Sequence, residues 1–341
     1  MKQIVYHGIQ DIRLEEKDVP MPGDGEVVVK NHVTLTCGTD AKMYMRGYRY
    51  DPPHLIGHEA AGVVYAVGKG VKDFKIGDRV VAHNTAPCHK CFYCKKGQHS
   101  MCVDLPSNLG SYAEYQLIPK NIVEETMFKL PDDMSYKQAA LMEPLACAVY
   151  GTSQIPIEFG DTVVVNGCGP IGLMFIRLSY LRGARVIACD IQKNRLKIAE
   201  KLGAQELIEI TPELDQAEAV INLTEDKRGV DFAIEAAGLP SVWEMSFNMV
   251  RPGGTVLCFG GTKKDTTVTF DCTRFHYDQI TVKSVFHTTP IHVKAAFELL
   301  KMKAINEEDF VQNEYTIEET EKAIIEHARG KVIKNCIIYP S

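Results

Sequence analysis

Residues 161–172 read Asp161-Thr162-Val163-Val164-Val165-Asn166-Gly167-Cys168-Gly169-Pro170-Ile171-Gly172, an apolar β-branched run that passes directly into a glycine turn. A helix-like segment continues to about Arg182, a second apolar run covers 185–189, and Asp190 closes it. Strand, turn, helix, strand and acid in that order predict a dinucleotide-binding unit. Gly167 permits the tight turn, Gly169 the approach of backbone to a pyrophosphate, and Gly172 the packing of helix on strand. Pro170 and Ile171 open the helix, whose first N–H groups are free to face phosphate.

Working outward, the chain alternates strand and helix from here to about residue 286. Strands are expected at 162–166, 185–189, 206–210, 230–234, 255–259 and 280–286, with helices at 170–182, 193–202, 213–227 and 241–250. Six strands alternating with helices describe a doubly wound parallel sheet. Upstream, short strand-like runs (12–17, 26–35, 60–67, 79–82, 111–118) are separated by Gly and Pro with few helical patterns. That habit predicts a mostly antiparallel β lobe. An apolar helix over 136–150 joins the two regions. Helices at 291–302 and 317–328 and a closing strand at 332–339 lie beyond the sixth strand and could return to the first lobe. The expected fold is therefore α/β with two domains: 1–150 plus 288–341, and 151–287.

A chain of 341 residues fits two cores better than one. A net charge of −6 gives no reason to expect nucleic acid or an anionic membrane as partner. No secretory leader or run long enough to span a bilayer is visible. With eleven cysteines, that points to a reducing, cytoplasmic setting in which clustered thiols more often hold metal than pair as disulfides.

Cys88, Cys91, Cys94 and Cys102 fall within fifteen residues, enough thiolates to surround one tetrahedral Zn²⁺ with no open position. Such a zinc is structural. An iron–sulfur cluster and a redox dithiol are the rival readings, and His89 and His99 read as solvated. A second, dispersed set comprises Cys37, the triplet Gly57-His58-Glu59, and Glu143 in Met142-Glu143-Pro144-Leu145. Taken singly, each has an ordinary structural explanation: a small buried thiol, a satisfied core histidine, a helix-start acid.

Five motifs occur in order: Cys37-Gly38-Thr39-Asp40, Gly57-His58-Glu59-Ala60-Ala61-Gly62, the four-cysteine lobe, Glu143-Pro144-Leu145-Ala146, and Gly167-Cys168-Gly169-Pro170-Ile171-Gly172. The whole chain thereby resembles the zinc-dependent medium-chain dehydrogenases, nearest the polyol (sorbitol/L-iditol-like) and threonine dehydrogenase branch. The resemblance implies a GroES-like β catalytic domain completed by the C-terminal segment, with a Rossmann domain inserted. It also implies a catalytic zinc at Cys37, His58 and Glu59, with Glu143 completing the shell directly or through water. Two zincs per chain follow, one catalytic and one structural. Mixed N, S and O ligands suit a zinc that keeps a position for substrate, and Thr39, two residues after Cys37, is the implied first carrier of the alcohol proton.

Threonine dehydrogenases resembling this chain carry a histidine three residues after that threonine, where Lys42 stands here. The departure lowers the L-threonine 3-dehydrogenase reading and favours a polyol, cyclitol or sugar-derived secondary alcohol, oxidised to the ketone. Asp190, eighteen residues after Gly172, predicts NAD over NADP, since a carboxylate there accepts from the ribose hydroxyls and repels a 2′-phosphate. By resemblance Arg195 packs beside the adenosine, and Cys258, Phe259, Gly260, Val285, Phe286 and His287 line the nicotinamide half. Arg46 and Arg49, in the segment after Cys37, are candidates for a substrate anion or are solvated loop arginines. His276, Tyr277 and His287 are further candidates for the substrate side. Relatives of this kind are homodimers or homotetramers. A non-catalytic sensor keeping the fold would show damaged ligands or a broken glycine turn, and neither is present. A zinc ribbon on nucleic acid would need more than Lys90, Lys95 and Lys96.

Overall fold

The computed structural model describes residues 1–47 and 51–340. The chain divides into two units, Met1–Ala146 with Thr288–Ser341, and Cys147–His287.

The second unit is built on one parallel sheet whose strands run, edge to edge, Glu206–Glu209, Arg185–Asp190, Thr162–Asn166, Val230–Glu235, Val250–Cys258 and Thr281–Ser284. Numbered along the chain the order is 3-2-1-4-5-6, all pairs parallel. The first and fourth strands are neighbours, so the connections leave in opposite directions there and open a crevice at their carboxyl ends. Val163, Val164 and Val165 are fully buried, as a strand covered on both faces requires.

The first unit carries a three-stranded sheet centred on Lys2–Gly8 and a larger sheet centred on Val27–Leu35 and Glu59–Val67. The larger sheet is antiparallel except at one edge, where Val311–Tyr315 lies parallel to Lys334–Ile338. Lys334–Ile338 pairs antiparallel with Val27–Leu35, Cys336 opposite Leu35, so the end of the chain completes the sheet its beginning starts. Apolar burial explains why it returns. Ile324 and Ile337 are fully buried in a cluster with Ile4, Tyr6, Tyr44 and Tyr112, each such side chain being worth about 1.5–3 kcal/mol.

Several local outcomes differ in extent from the sequence pattern: the strand expected over 111–118 is Tyr115–Ile118, and the helix expected over 136–150 is two, Tyr136–Ala140 and Met142–Ser153. The helix expected over 213–227 is confined to Gln216–Asn222, started by the Asp215 carboxylate and followed by a short 3-10 turn in which Asp226 has φ 53°. The helix expected over 317–328 begins as a 3-10 turn, Ile317–Glu319, before Thr320–Ala328. The strand expected from residue 280 is short, Thr281–Ser284. Among the described residues no helix is long and apolar enough to cross a membrane.

Candidate active site

In the first unit, Cys37 is the N-cap of the helix Gly38–Arg46. Its sulfur accepts from the Thr39 N–H, while Asp40, three residues on, accepts from the Cys37 N–H. This reciprocal cap fixes the direction of the thiol. His58 and Glu59 arrive from the start of the strand Glu59–Val67, paired with the end of Val27–Leu35 through Leu35 and Glu59. The donor atoms of Cys37, His58 and Glu59 lie within 4.8 Å of one another. Sulfur, imidazole and carboxylate at that spacing are a donor set that fits Zn²⁺.

Three surrounding side chains, Asp40, Tyr112 and Lys334, organise this pocket. The Asp40 carboxylate stands 3.5 Å from His58 Nδ1, which leaves Nε2 as the available ring donor. Burial opposes charge on His58, yet Cys37 and Asp40 beside it raise its proton affinity well above the ordinary histidine value. Tyr112 Oη donates to Asp40 at 2.8 Å. Lys334 Nζ, 1% exposed, donates to both Glu59 oxygens at 2.7 and 2.6 Å and to the Thr36 carbonyl at 3.0 Å. Burial works against the Lys334 charge, but Glu59 overrides it and raises the lysine; burial also raises the Glu59 carboxyl, while the short contacts to both its oxygens are those of an ion pair. Glu59 thus reaches the pocket with both oxygens already engaged.

Glu143, in the helix Met142–Ser153, stands beside this set rather than within it. Burial pushes its carboxyl up to about 7. Its Oε1 is 3.8 Å from His83 Nε2. The Thr85 N–H donates to His83 Nδ1 at 3.2 Å, so neutral His83 carries its proton on Nε2, the atom facing Glu143. Thr39 is exposed on the first turn of its helix. Arg46 is exposed at the end of that helix, while Tyr48, Arg49 and Tyr50 lie outside the described residues.

Cys88, Cys91, Cys94 and Cys102 also bring their sulfurs within 4.8 Å of one another. The Cys91 and Cys102 sulfurs are 3.9 Å apart, too far for a disulfide and close to the ~3.8 Å edge of a tetrahedron with Zn–S of about 2.3 Å. The Cys94 N–H, foremost, lowers the Cys91 thiol to about 6, which readies it as a thiolate ligand. His89 is bonded to Glu125 at 2.6 Å and its ring meets His99 edge-on.

In the second unit the glycine turn joins the first strand to the helix Pro170–Leu181. A Cβ on Gly172 would lie 1.8 Å from the Gly167 carbonyl oxygen, whereas one on Gly169 would meet nothing within 4 Å. Glycine at 172 is therefore dictated by helix-on-strand packing. Position 169 borders open space at a helix N-terminus, as a bound pyrophosphate needs. Asp190, 5% exposed, accepts from the Cys168 N–H at 2.7 Å and the Gln192 N–H at 2.8 Å. It braces the turn from the end of the neighbouring strand. Arg195 Nη1 is 3.9 Å from Asp190, and Ile171 is half-buried in the first turn of the helix. The Phe259 and Gly260 N–H groups, just after Cys258, bond to Glu235, and Phe259 packs edge-on against Phe175. Val285, Phe286 and His287 follow the last strand, with Phe286 46% exposed. His276 and Tyr277 are exposed at the end of the helix Cys272–Tyr277.

Asp40, Tyr112, Lys334 and His83 are the residues that sequence reading did not single out. Only Asp40 had a local signal, as the third residue of a helix capped by Cys37.

Comparison with known proteins matches residues 23–132 to the alcohol dehydrogenase GroES-like domain and residues 170–302 to the zinc-binding dehydrogenase domain. Sorbitol dehydrogenase of Bacillus subtilis is 31% identical over 100% of this chain and 98% of its own length. D-xylulose reductase A of Aspergillus oryzae is 31% identical over 98% of this chain and 95% of its own. Among solved structures, a putative zinc-binding dehydrogenase from Sinorhizobium meliloti, bound to NADP, superposes with a TM-score of 0.92 at 27% identity, covering 99% of both chains.

Proposed function

The chain belongs to the zinc-dependent medium-chain alcohol dehydrogenases, NAD-dependent oxidoreductases of alcohols, and we propose that within the family it oxidises a secondary alcohol of a polyol, cyclitol or sugar derivative to the ketone. The observation that carries this reading is the pocket of Cys37 sulfur, His58 imidazole and Glu59 carboxylate, braced by Asp40. Its likeness to sorbitol dehydrogenase and D-xylulose reductase along the whole chain supports the substrate class.

In this reading Cys37 and His58 hold a catalytic zinc, with Glu59 and Glu143 as its carboxylates, and Cys88, Cys91, Cys94 and Cys102 hold a structural one. Zinc supplies a Lewis acid that eases deprotonation of an alcohol hydroxyl, and the nicotinamide supplies a two-electron hydride acceptor. Thr39, exposed beside Cys37, takes the hydroxyl proton and passes it to solvent. The adjoining carbon releases hydrogen with its electron pair, which leaves the ketone. Gly167, Gly169, Pro170, Ile171 and Gly172 cradle the pyrophosphate, Asp190 the adenosine ribose, and Arg195 the adenosine side. Cys258, Phe259, Gly260, Val285, Phe286 and His287 border the nicotinamide. We assign the protein to the cytoplasm, a setting the clustered thiols of Cys88, Cys91, Cys94 and Cys102 support, as a homodimer or homotetramer. The domain division proposed is a catalytic domain of 1–150 with 288–341 and a cofactor domain of 151–287.

The test is NAD⁺ reduction with sorbitol, xylitol, inositols and sugar acids beside L-threonine. Turnover of polyols is expected, and turnover confined to threonine overturns the substrate class. Replacing Asp190 by alanine removes the charge that repels a 2′-phosphate. The ratio of kcat/KM for NAD⁺ over NADP⁺ should fall at least about tenfold, or 1.4 kcal/mol. A parent enzyme that already uses both cofactors equally would overturn the role of Asp190.

A further inference from the structure

We propose that Tyr112 is the positioning residue of the metal pocket, its hydroxyl fixing Asp40 and, through Asp40, the orientation of both Cys37 and His58. This rests on the reading of Cys37 and His58 as zinc ligands.

Tyr112 is fully buried and touches the pocket's scaffold in two ways. Its Oη donates to Asp40 Oδ2 at 2.8 Å. The other donors around that carboxylate stand farther off: the Cys37 N–H at 3.2 Å, the Gly57 N–H at 3.4 Å and His58 Nδ1 at 3.5 Å. The phenol therefore makes the shortest contact and sets where the carboxylate rests. The ring does the second job. Gly57 has φ +87°, and a Cβ there would lie 2.7–2.9 Å from Cδ2 and Cγ of the Tyr112 ring, so the residue before His58 is packed close against the ring. One side chain thus seats the peptide that delivers His58 and the carboxylate that orients its imidazole. The same carboxylate closes the cap that aims Cys37.

Phenylalanine at 112 keeps the ring against Gly57 and deletes only the hydroxyl, which separates positioning from packing. Groups that hydrogen-bond a metal ligand typically govern 10–100-fold in metal affinity. Tyr112 acts one bond farther out, so about a tenfold effect is expected.

The experiment compares zinc-loaded parent and Tyr112→Phe for release of zinc to a colorimetric chelator, and the visible spectrum of each with Co²⁺ in place of the catalytic zinc. Tyr112→Phe should release zinc from the Cys37–His58 pocket about tenfold faster and shift the Co²⁺ bands. Release from the four-cysteine lobe and NAD⁺ affinity should stay as in the parent. Asp40→Asn should shift the Co²⁺ bands likewise, and adding Tyr112→Phe to it should change little more, since both act through one contact. Parent-like release and spectrum in Tyr112→Phe overturn the proposal, including the case where only thermal stability falls. A parent whose zinc content is unchanged by His58→Ala overturns the metal reading itself, and this inference with it.

Discussion

Exchanging Lys334 for methionine is expected to cost about 3–5 kcal/mol of folding stability at neutral pH. The expectation follows from burial, not from the number of bonds. Lys334 is 1% exposed and the Glu59 side chain fully buried, so the exchange leaves a buried carboxylate without solvent and without the cation bonded to it, His58 nearby being a weaker offset than the lysine. In the parent, Lys334 lies above its usual value of 10.5, and burial holds the Glu59 carboxyl raised even beside it, so the pair contributes between the two values and its contribution is lost as pH falls through the Glu59 value. In the variant, burial without the lysine raises the Glu59 carboxyl further above its unfolded value. Such a group destabilises nothing while it is protonated in both states, below the unfolded value of about 4.5. Its penalty grows as pH rises through the folded value. The deficit of Lys334→Met relative to the parent should therefore be small near pH 4 and largest at pH 7 and above. Urea unfolding of chelator-treated protein across that range checks the sign. A second substitution, Glu59→Gln, removes the stranded charge and should restore most of the loss. Zinc should also narrow the deficit, because the pocket then offers Glu59 another cation. A deficit that is flat with pH, or unrelieved by Glu59→Gln, would mean that Lys334 contributes by packing alone.

This pair also marks the boundary of what sequence could disclose. Glycines at 167, 169 and 172 are legible because the constraint is local. The helix must touch the strand at Gly172, and the acid that ends the next strand follows at a fixed distance along the chain. The four cysteines are legible for the same reason, since one short segment folds around one centre. Asp40 is within reach, because the cap is written in four consecutive residues, Cys37 to Asp40, yet its contact with His58 crosses between elements. Lys334 and Glu59 are 275 residues apart, and their meeting depends on the register that places Cys336 opposite Leu35. No period or spacing in the sequence carries that register. Tyr112, seventy-two positions from Asp40, is hidden for the same reason. Its neighbours read only as strand, and nothing in a strand pattern says which hydroxyl faces inward to a carboxylate. The strand Lys2–Gly8 is hidden for another reason: its main partner, Asp11–Glu16, follows directly in a hairpin, but its buried run Gln3–Tyr6 shows no polar–apolar alternation.

Replacing His58 by alanine should lower kcat/KM for the alcohol by about a thousandfold or more, while NAD⁺ affinity changes less than about twofold. A metal centre contributes several kcal/mol to the reaction it assists, and about 4 kcal/mol is a thousandfold in rate. The two quantities separate because the groups that serve them belong to different units. His58 sits in the unit Met1–Ala146 with Thr288–Ser341, and the glycine turn and Asp190 sit in Cys147–His287. Within its own unit, His58 is the imidazole of the Cys37, His58 and Glu59 set. Its loss leaves one sulfur and carboxylates already engaged by Lys334 or offset toward His83. That remnant is too poor a donor set to retain zinc against a chelator. Zinc per chain should therefore fall from two to one, the survivor being the four-sulfur site, which His58 does not touch. Metal analysis, fluorescence titration with NAD⁺ and steady-state rates give the three numbers independently. Full turnover with one zinc lost would remove this pocket from the chemistry. Loss of NAD⁺ binding in step with turnover would instead show that the two units do not divide the work between metal and cofactor.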